Sequence, residues 1–416
     1  MNKFQKLIDE KELAADYIEQ EITYVCKNIP KRDPGAPGET QACEYMAKTL
    51  KDDCGCDSPK IEDFEVHPAS FFGWIYITMS LALAHVALYF VYPLIGVILM
   101  TIGFAIMVSH FVFYKKPVDF LFPKRTSHNV TAIRKCTEEP RARVFFNGHV
   151  DAAWRSTYNE KFGGTVYGII LALGFVGMLI MYIFSIVRTC MVGALPCIST
   201  PATDPVMFWL GIAILPFVPF GVALYFMWDE RIIVDGANDN LSGCYIGISI
   251  LKKMEEAGIN LKHTEVGVII TGSEEAGVRG AKAWAEAHKD DYKDVPTYIF
   301  SYDTIHDPKF LMVNYRELNG TLKMDKAVGD RFYNSAQELG IPCGKGMVPP
   351  FGGATDGAGF AQGGFKTASI TALNHNLEDY YHTQRDTYDN LDKDGLAKTF
   401  AVSVNLLRKI DEEVDA

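Results

Sequence analysis

Charge is missing from three long stretches of this chain. Residues 71–114, 164–187 and 205–228 contain no Asp, Glu, Lys or Arg. Basic charge is scarce overall, with 40 Lys and Arg against 51 Asp and Glu and a net charge of −11. A phosphate backbone needs a basic footprint, so this balance argues against nucleic acid as the main partner. Cysteine is too sparse, at nine in 416 residues, for a disulfide scaffold. There is no internal repeat and no low-complexity tract, and the composition is not that of a disordered chain. The opening Met1-Asn2-Lys3-Phe4-Gln5-Lys6-Leu7 has no apolar run behind it, which predicts no cleaved signal peptide.

The uncharged blocks are long enough to matter, because about 20 apolar residues cross a bilayer core. Block 71–114 is about twice that length, and Tyr92-Pro93 lies near its middle. Proline disfavours a continuous helix there, so the block reads as a hairpin with spans near 71–91 and 94–114. Blocks 164–187 and 205–228 read as one span each, joined by a loop holding Cys190, Pro196, Cys197 and Pro201. Buried core helices of a large soluble enzyme are the competing reading. Phe71, Phe72, Trp74, Tyr114, Trp209 and Trp228 near the block ends favour a lipid bilayer.

Four spans put both termini and all the polar sequence on one face. Lys60, Lys115, Lys116, Lys124, Arg125, Arg155, Lys161 and Arg231 flank the spans on that face, and Arg188 alone on the other. The positive-inside rule predicts an integral membrane protein with its polar domain in the cytoplasm. Cys26, Cys43, Cys54, Cys56, Cys136, Cys244 and Cys343 are expected to stay reduced there, whereas Cys190 and Cys197 could pair. Cys54-Gly55-Cys56 offers two thiols where a zinc site normally takes four ligands, so these read as structural.

Without the blocks roughly 300 residues remain, enough for one large domain. Helices are expected over 3–28, 39–52, 242–256, 277–288, 325–339 and 394–412. Strands are expected over 60–66, 129–134, 143–147, 264–270, 298–302 and 367–373. This alternation predicts an α/β domain whose sheet is covered on both faces. The hairpins interrupt that domain. Its parts are 1–69, 115–163 and 229–416, and the hairpins occupy 70–114 and 164–228.

Several apolar strands end in acid or histidine. One runs into Gly148-His149-Val150-Asp151, another into Gly272-Ser273-Glu274-Glu275, a third into Tyr302-Asp303. Gly236-Ala237-Asn238-Asp239-Asn240 and Tyr381-His382-Thr383 lie further along. Ligands of open α/β sheets bind beyond the carboxyl ends of strands, so these tips can converge on one point. His149, Asp239, Glu275, Asp303 and His382 are ligand types suited to zinc. Their three negative charges would leave two divalent ions net positive, able to hold a hydroxide. Asp151 is placed to accept a hydrogen bond from the second ring nitrogen of His149 and fix its tautomer. Glu274, free beside a ligand, fits a general base. Taken singly, Asp239 could cap the helix beginning near Leu241, Glu274-Glu275 could be first-turn acids, and Asp303 could be a turn residue.

Together these stretches resemble the co-catalytic zinc exopeptidases, a family that includes leucyl aminopeptidases, aminopeptidase Y, glutamate carboxypeptidase II and the glutaminyl cyclases. The matching segments also take in Leu241-Ser242-Gly243, Ala276-Gly277 and Gln384-Arg385-Asp386-Thr387, and together they span most of 129–391. The resemblance implies two zinc ions bridged by Asp239. One would be held further by His149 and Asp303, the other by Glu275 and His382. It also implies Glu274 as base and Tyr381 as hydrogen-bond donor to the oxyanion. Members often carry His after the residue matching Asp356; here Gly357 follows, leaving Asp356 to orient neighbouring groups. The expected fold is a zinc-aminopeptidase-like three-layer α/β domain with a mixed sheet, interrupted by two transmembrane helical hairpins. The expected function is a membrane-embedded metallopeptidase that uses metal-activated water on peptides, an aminopeptidase first. The alternatives are a glutaminyl-cyclase-like acyl transferase, a carboxypeptidase, or a non-catalytic receptor or scaffold.

Overall fold

The computed structural model describes residues 3–350, 352–374 and 379–415. The chain divides into two compact units, one built from Met1–Pro68, Lys124–Trp154 and Arg231–Ala416, the other from Ala69–Pro123 and Arg155–Glu230.

The first unit carries an eight-stranded mixed sheet. Its strands are β1 Lys60–Val66, β2 Arg125–Arg134, β3 Ala142–His149, β4 Thr264–Thr271, β5 Thr297–Ile305, β6 Leu311–Asn314, β7 Gly344–Gly346 and β8 Lys366–Ala372. Their order across the sheet is β1-β2-β4-β3-β5-β8-β6-β7. Strands β4, β3, β5 and β8 run parallel, so their carboxyl ends emerge at one edge. Every residue of β3 and β4 is buried, as expected for central strands covered on both faces.

The coverage is visible in two adjacent side chains, which a strand must send to opposite faces. Phe145 meets Trp284 of helix Arg279–Ala287, with ring centroids 5.9 Å apart. Phe146 lies on the other side, against Gly247 of helix Ser242–Glu256. The three-layer arrangement expected from the sequence is what the chain adopts. Short elements escaped the pattern. Strands β6 and β7 and helix Asp356–Gln362 are three to seven residues long, too short to show a period. The single helix expected over 3–28 is two, Lys3–Asp9 and Lys11–Asn28.

The second unit holds four helices long and apolar enough to cross a membrane: Ser70–Val91, Pro93–Val112, Thr157–Val192 and Pro205–Phe226. Tyr92 breaks the first pair, and Pro93 starts the next helix, where its missing amide costs nothing. The third helix begins upstream of its apolar block, in polar residues from Thr157, and turns at Gly163, whose φ of 77° suits glycine. The fourth is broken by 3₁₀ turns at Leu215–Phe217 and Leu224–Phe226; Pro216 and Pro219 remove amide donors at and just after the first of these. Arg188, the one basic residue of the far loop region, is fully buried and pairs with Asp204 at 2.7 Å. It also donates to the carbonyls of Tyr89 and Cys197. All nine cysteines are free thiols, Cys190 and Cys197 included.

Candidate metal centre

His149 is the last residue of β3. Its neighbour Gly148 is dictated by crowding, since a Cβ there would lie 2.4 Å from the amide nitrogen of Cys244. The Nδ1 of His149 lies 3.1 Å from the backbone carbonyl of Asp151. A carbonyl only accepts, so Nδ1 carries the proton and Nε2 points its lone pair into the site. The expected partner was the Asp151 carboxylate, which sits at 3.5 Å. That carboxylate instead accepts the amides of Glu274 and Glu275, one on each oxygen, both at 3.0 Å. Asp151 therefore fixes the peptide carrying the base and a ligand, while its main chain fixes the His149 ring.

The segment Ala237–Leu241 is buried between β5 and helix Ser242–Glu256. Asn240 locks it by donating to the Tyr302 carbonyl at 2.8 Å and accepting the Gly243 amide at 3.1 Å. Asp239 makes no side-chain cap on the following helix. Asp303 lies inside β5, with Thr304 donating to its Oδ1 at 2.8 Å, so it is not a turn residue. Glu274 and Glu275 lie before helix Arg279–Ala287, outside its first turn. Three structural explanations of these acids thus fall away. His382 sits in a tight turn with a φ of 54°, sparsely populated by residues with a Cβ. Its ring stacks on Tyr381, centroids 4.0 Å apart.

These residues meet at one point. His149 Nε2 lies 3.2 Å from Asp239, 3.9 Å from Glu274 and 4.0 Å from Asp303. His382 Nε2 lies 3.2 Å from the other Asp239 oxygen and 3.3 Å from Glu275. Three trios each bring one ligand atom per residue within 4.8 Å of the others: His149, Asp239 and Asp303; Asp239, Glu275 and His382; and His149, Glu274 and Glu275. The first two are the trios expected from the sequence.

The electrostatics suit cations. Burial pushes the Glu274 carboxyl well above the usual range; His149 opposes this, and Asp303 and Glu275 add to it. Burial and Asp239 do the same to Asp303. Burial would lower the imidazoles, but Asp151 and Asp239 lift His149, and Glu275 and Asp239 lift His382 to about 10. A cluster of acids this crowded favours nearby cations, which divalent ions would supply. The buried His149 Nε2 and Glu275 Oε1 have no hydrogen-bond partner among the described residues, as expected of atoms kept for a metal. The donor set of imidazoles and carboxylates fits zinc.

Two residues of the site region went unassigned in the sequence. Asp386, fully buried, accepts the amides of Asn238 (2.8 Å) and Asp239 (3.1 Å). Its nearness to His382 in the same motif was the available signal. Buried Glu317 accepts the amide and hydroxyl of Thr355, just before Asp356. Asp356 in turn accepts from Thr271 and from Asn147, bracing the ends of β4 and β3.

Residues 226–407 match the family model described as Peptidase family M28. A comparison with curated proteins returns no match. Among solved structures, a zinc aminopeptidase from Bacillus subtilis is similar at 12% identity and a TM-score of 0.55, covering 95% of each chain. An aminopeptidase from Aneurinibacillus sp. strain AM-1 is similar at 13% identity and 0.54, covering 95% of this chain and 93% of its own. A glutaminyl cyclase from Porphyromonas gingivalis is similar at 12% identity and 0.53, covering 95% and 98%.

Proposed function

We propose that this chain is one of the co-catalytic zinc exopeptidases, an integral membrane aminopeptidase that binds two zinc ions. One observation carries the two-metal reading. The two oxygens of Asp239 face different histidines, Oδ1 toward His149 and Oδ2 toward His382, each at 3.2 Å. A carboxylate so aimed would suit two cations. His149 and Asp303 would complete one position, Glu275 and His382 the other.

Zinc, when bound, supplies Lewis acidity that polarises a carbonyl and makes water acidic enough to attack near neutral pH. Glu274 is the base. It is buried, lies beside the ligands without belonging to either bridged trio, and its raised affinity for protons suits a group that takes a proton from water and hands it to the leaving amine. Tyr381 is the donor to the oxyanion. Burial pushes its hydroxyl well above the ordinary value, so it keeps its proton. Asp151 positions Glu274 and Glu275 through their amides.

The fold shared with a zinc aminopeptidase and another aminopeptidase supports an aminopeptidase ahead of a carboxypeptidase. The four apolar helices support membrane insertion, and the basic flanks support a cytoplasmic site.

The test is mass spectrometry of a peptide pool, half with free and half with acetylated N-termini, incubated with zinc-loaded protein in detergent. Stepwise shortening of free N-termini alone is expected. Shortening from C-termini would replace the reading with a carboxypeptidase, and loss of ammonia without cleavage with a cyclase. No reaction at full zinc loading would point to a receptor or scaffold.

A further inference from the structure

Arg32 is among the largest fully buried side chains of the protein, and its guanidinium donates to three backbone carbonyls and lies beside the Cys26 thiol. Nε donates to Val150 at 3.0 Å, the residue between His149 and Asp151. A second nitrogen donates to Asp235, at the start of the segment that carries Asp239. A third contact reaches Ile29 at 3.4 Å. The main chain of Arg32 accepts the Ala152 amide at 3.0 Å, so the His149 loop is held on both sides. No carboxylate pairs with this cation among the described residues. Burying an unpaired guanidinium is costly, so the position is poorly explained by stability alone.

Seven residues on, Glu39 repeats the arrangement with opposite charge. Fully buried, it accepts the Ser273 amide at 2.7 Å and the Ser273 hydroxyl at 3.1 Å through one oxygen. Its other oxygen accepts the Gly35 amide at 3.0 Å, closing the segment on itself. Ser273 precedes Glu274 and has a φ of 55°, a conformation that needs outside support. Gly272 must be glycine beside it, since a Cβ would lie 2.6 Å from the His128 carbonyl oxygen and 2.8 Å from Glu39 Oε1.

We propose that Arg32 and Glu39 are positioning residues of the metal centre, a strap from outside the family match that sets the spacing of three ligand loops. Arg32 ties the loop of His149 to the segment leading to Asp239, and Glu39 ties the loop of Glu274 and Glu275. A guanidinium is suited to Arg32's task, because its planar fork can hold carbonyls of two separate loops in one plane. A carboxylate is suited to Glu39's, because both oxygens must accept, one from Ser273 and the other from the Gly35 amide, where a glutamine NH2 would set donor against donor. The inference rests on the two-metal reading above.

The experiment is zinc binding to the full-length protein in detergent, by competition with a chromophoric chelator, for the wild type and for Arg32→Met, Arg32→Lys and Glu39→Gln. Arg143→Met serves as the control. Arg143 is also buried in the same unit, paired with Glu265 and Asp294 and making no contact with the ligand loops. Arg32→Met and Glu39→Gln should bind zinc about 10- to 100-fold more weakly, as supporting groups of metal ligands do. Arg32→Lys should recover part of the loss, and Arg143→Met should lower the melting temperature without changing zinc affinity. The visible spectrum of the cobalt-loaded protein should shift in the strap variants alone. Wild-type affinity and spectrum in Glu39→Gln and Arg32→Lys would overturn the strap while leaving the metal centre standing. A wild type that takes up no zinc would overturn the two-metal reading itself, and the strap with it. If Arg32→Met does not fold, Glu39→Gln and Arg32→Lys decide the matter.

Discussion

Asp386 accepts the backbone amide of Asp239 at 3.1 Å, so the carboxylate that faces both histidines is held in place by a second carboxylate beneath it. The same device recurs at Asp151, whose two oxygens take the amides of Glu274 and Glu275. Buried acids that grip ligand backbones use acceptor capacity that no neutral side chain matches. Asp386→Asn turns one acceptor into a donor facing an amide. It should cost about 1–3 kcal/mol in stability and weaken zinc binding by about 10- to 100-fold. Calorimetric melting with a zinc titration measures both, and an unchanged affinity would remove Asp386 from the supporting set.

Glu274→Gln keeps the shape of the side chain and removes its basicity. Zinc content should stay at the wild-type level while kcat falls by about 10²- to 10⁴-fold. A variant that loses zinc along with activity would make Glu274 a ligand, as the third trio of the site allows in geometry.

Metal removal separates the two positions. Chelation should abolish activity, and added zinc should restore it. His382→Ala strips one position of its only imidazole, so metal analysis after dialysis should fall from two equivalents toward one. Two full equivalents in that variant would exclude His382 as a ligand.

Glu317 provides a pH signature away from the ligands. Burial lifts its carboxyl from 4.5 to about 6. An acid raised on folding binds its proton more tightly in the native state, so its contribution is greatest below 4.5 and is lost as pH rises through about 6. The difference between the limits is about 2 kcal/mol. Unfolding of the wild type and of Glu317→Gln from pH 4 to 8 should show the wild type losing that much relative to the variant. Parallel curves would contradict the raised value.

Membrane orientation is open to labelling. Cys190 is exposed in the helical unit, and Cys136 is half-buried in the sheet-bearing unit. In single-cysteine variants a membrane-impermeant maleimide should reach Cys190 on intact cells and Cys136 only after permeabilisation. The reverse pattern would put the site outside.

Much of this protein can be read along the chain. The uncharged blocks correspond to the four apolar helices because solvent exclusion acts on composition, which needs no tertiary information. The strands leading to His149, Glu274 and Asp303 are apolar runs, legible because central parallel strands are buried on both faces. Boundaries were less legible. Helix Thr157–Val192 extends into polar residues that carry no apolar signal, and the break at Glu10 follows no hydrophobic period.

The sequence by itself determined the chemistry available: two imidazoles, a set of carboxylates and their positions at strand ends. Tertiary structure alone decided how they are held. The Asp151 carboxylate grips amides, and the His149 ring is oriented by a carbonyl. Arg188 has its charge met by Asp204 inside the helical unit. Glu39 reaches Ser273 across 234 positions of chain. The reason is physical. Side-chain identity states what a residue can donate or accept, but most of these partners are backbone amides and carbonyls. Every residue carries those alike, and only the fold selects which of them a buried charge will find.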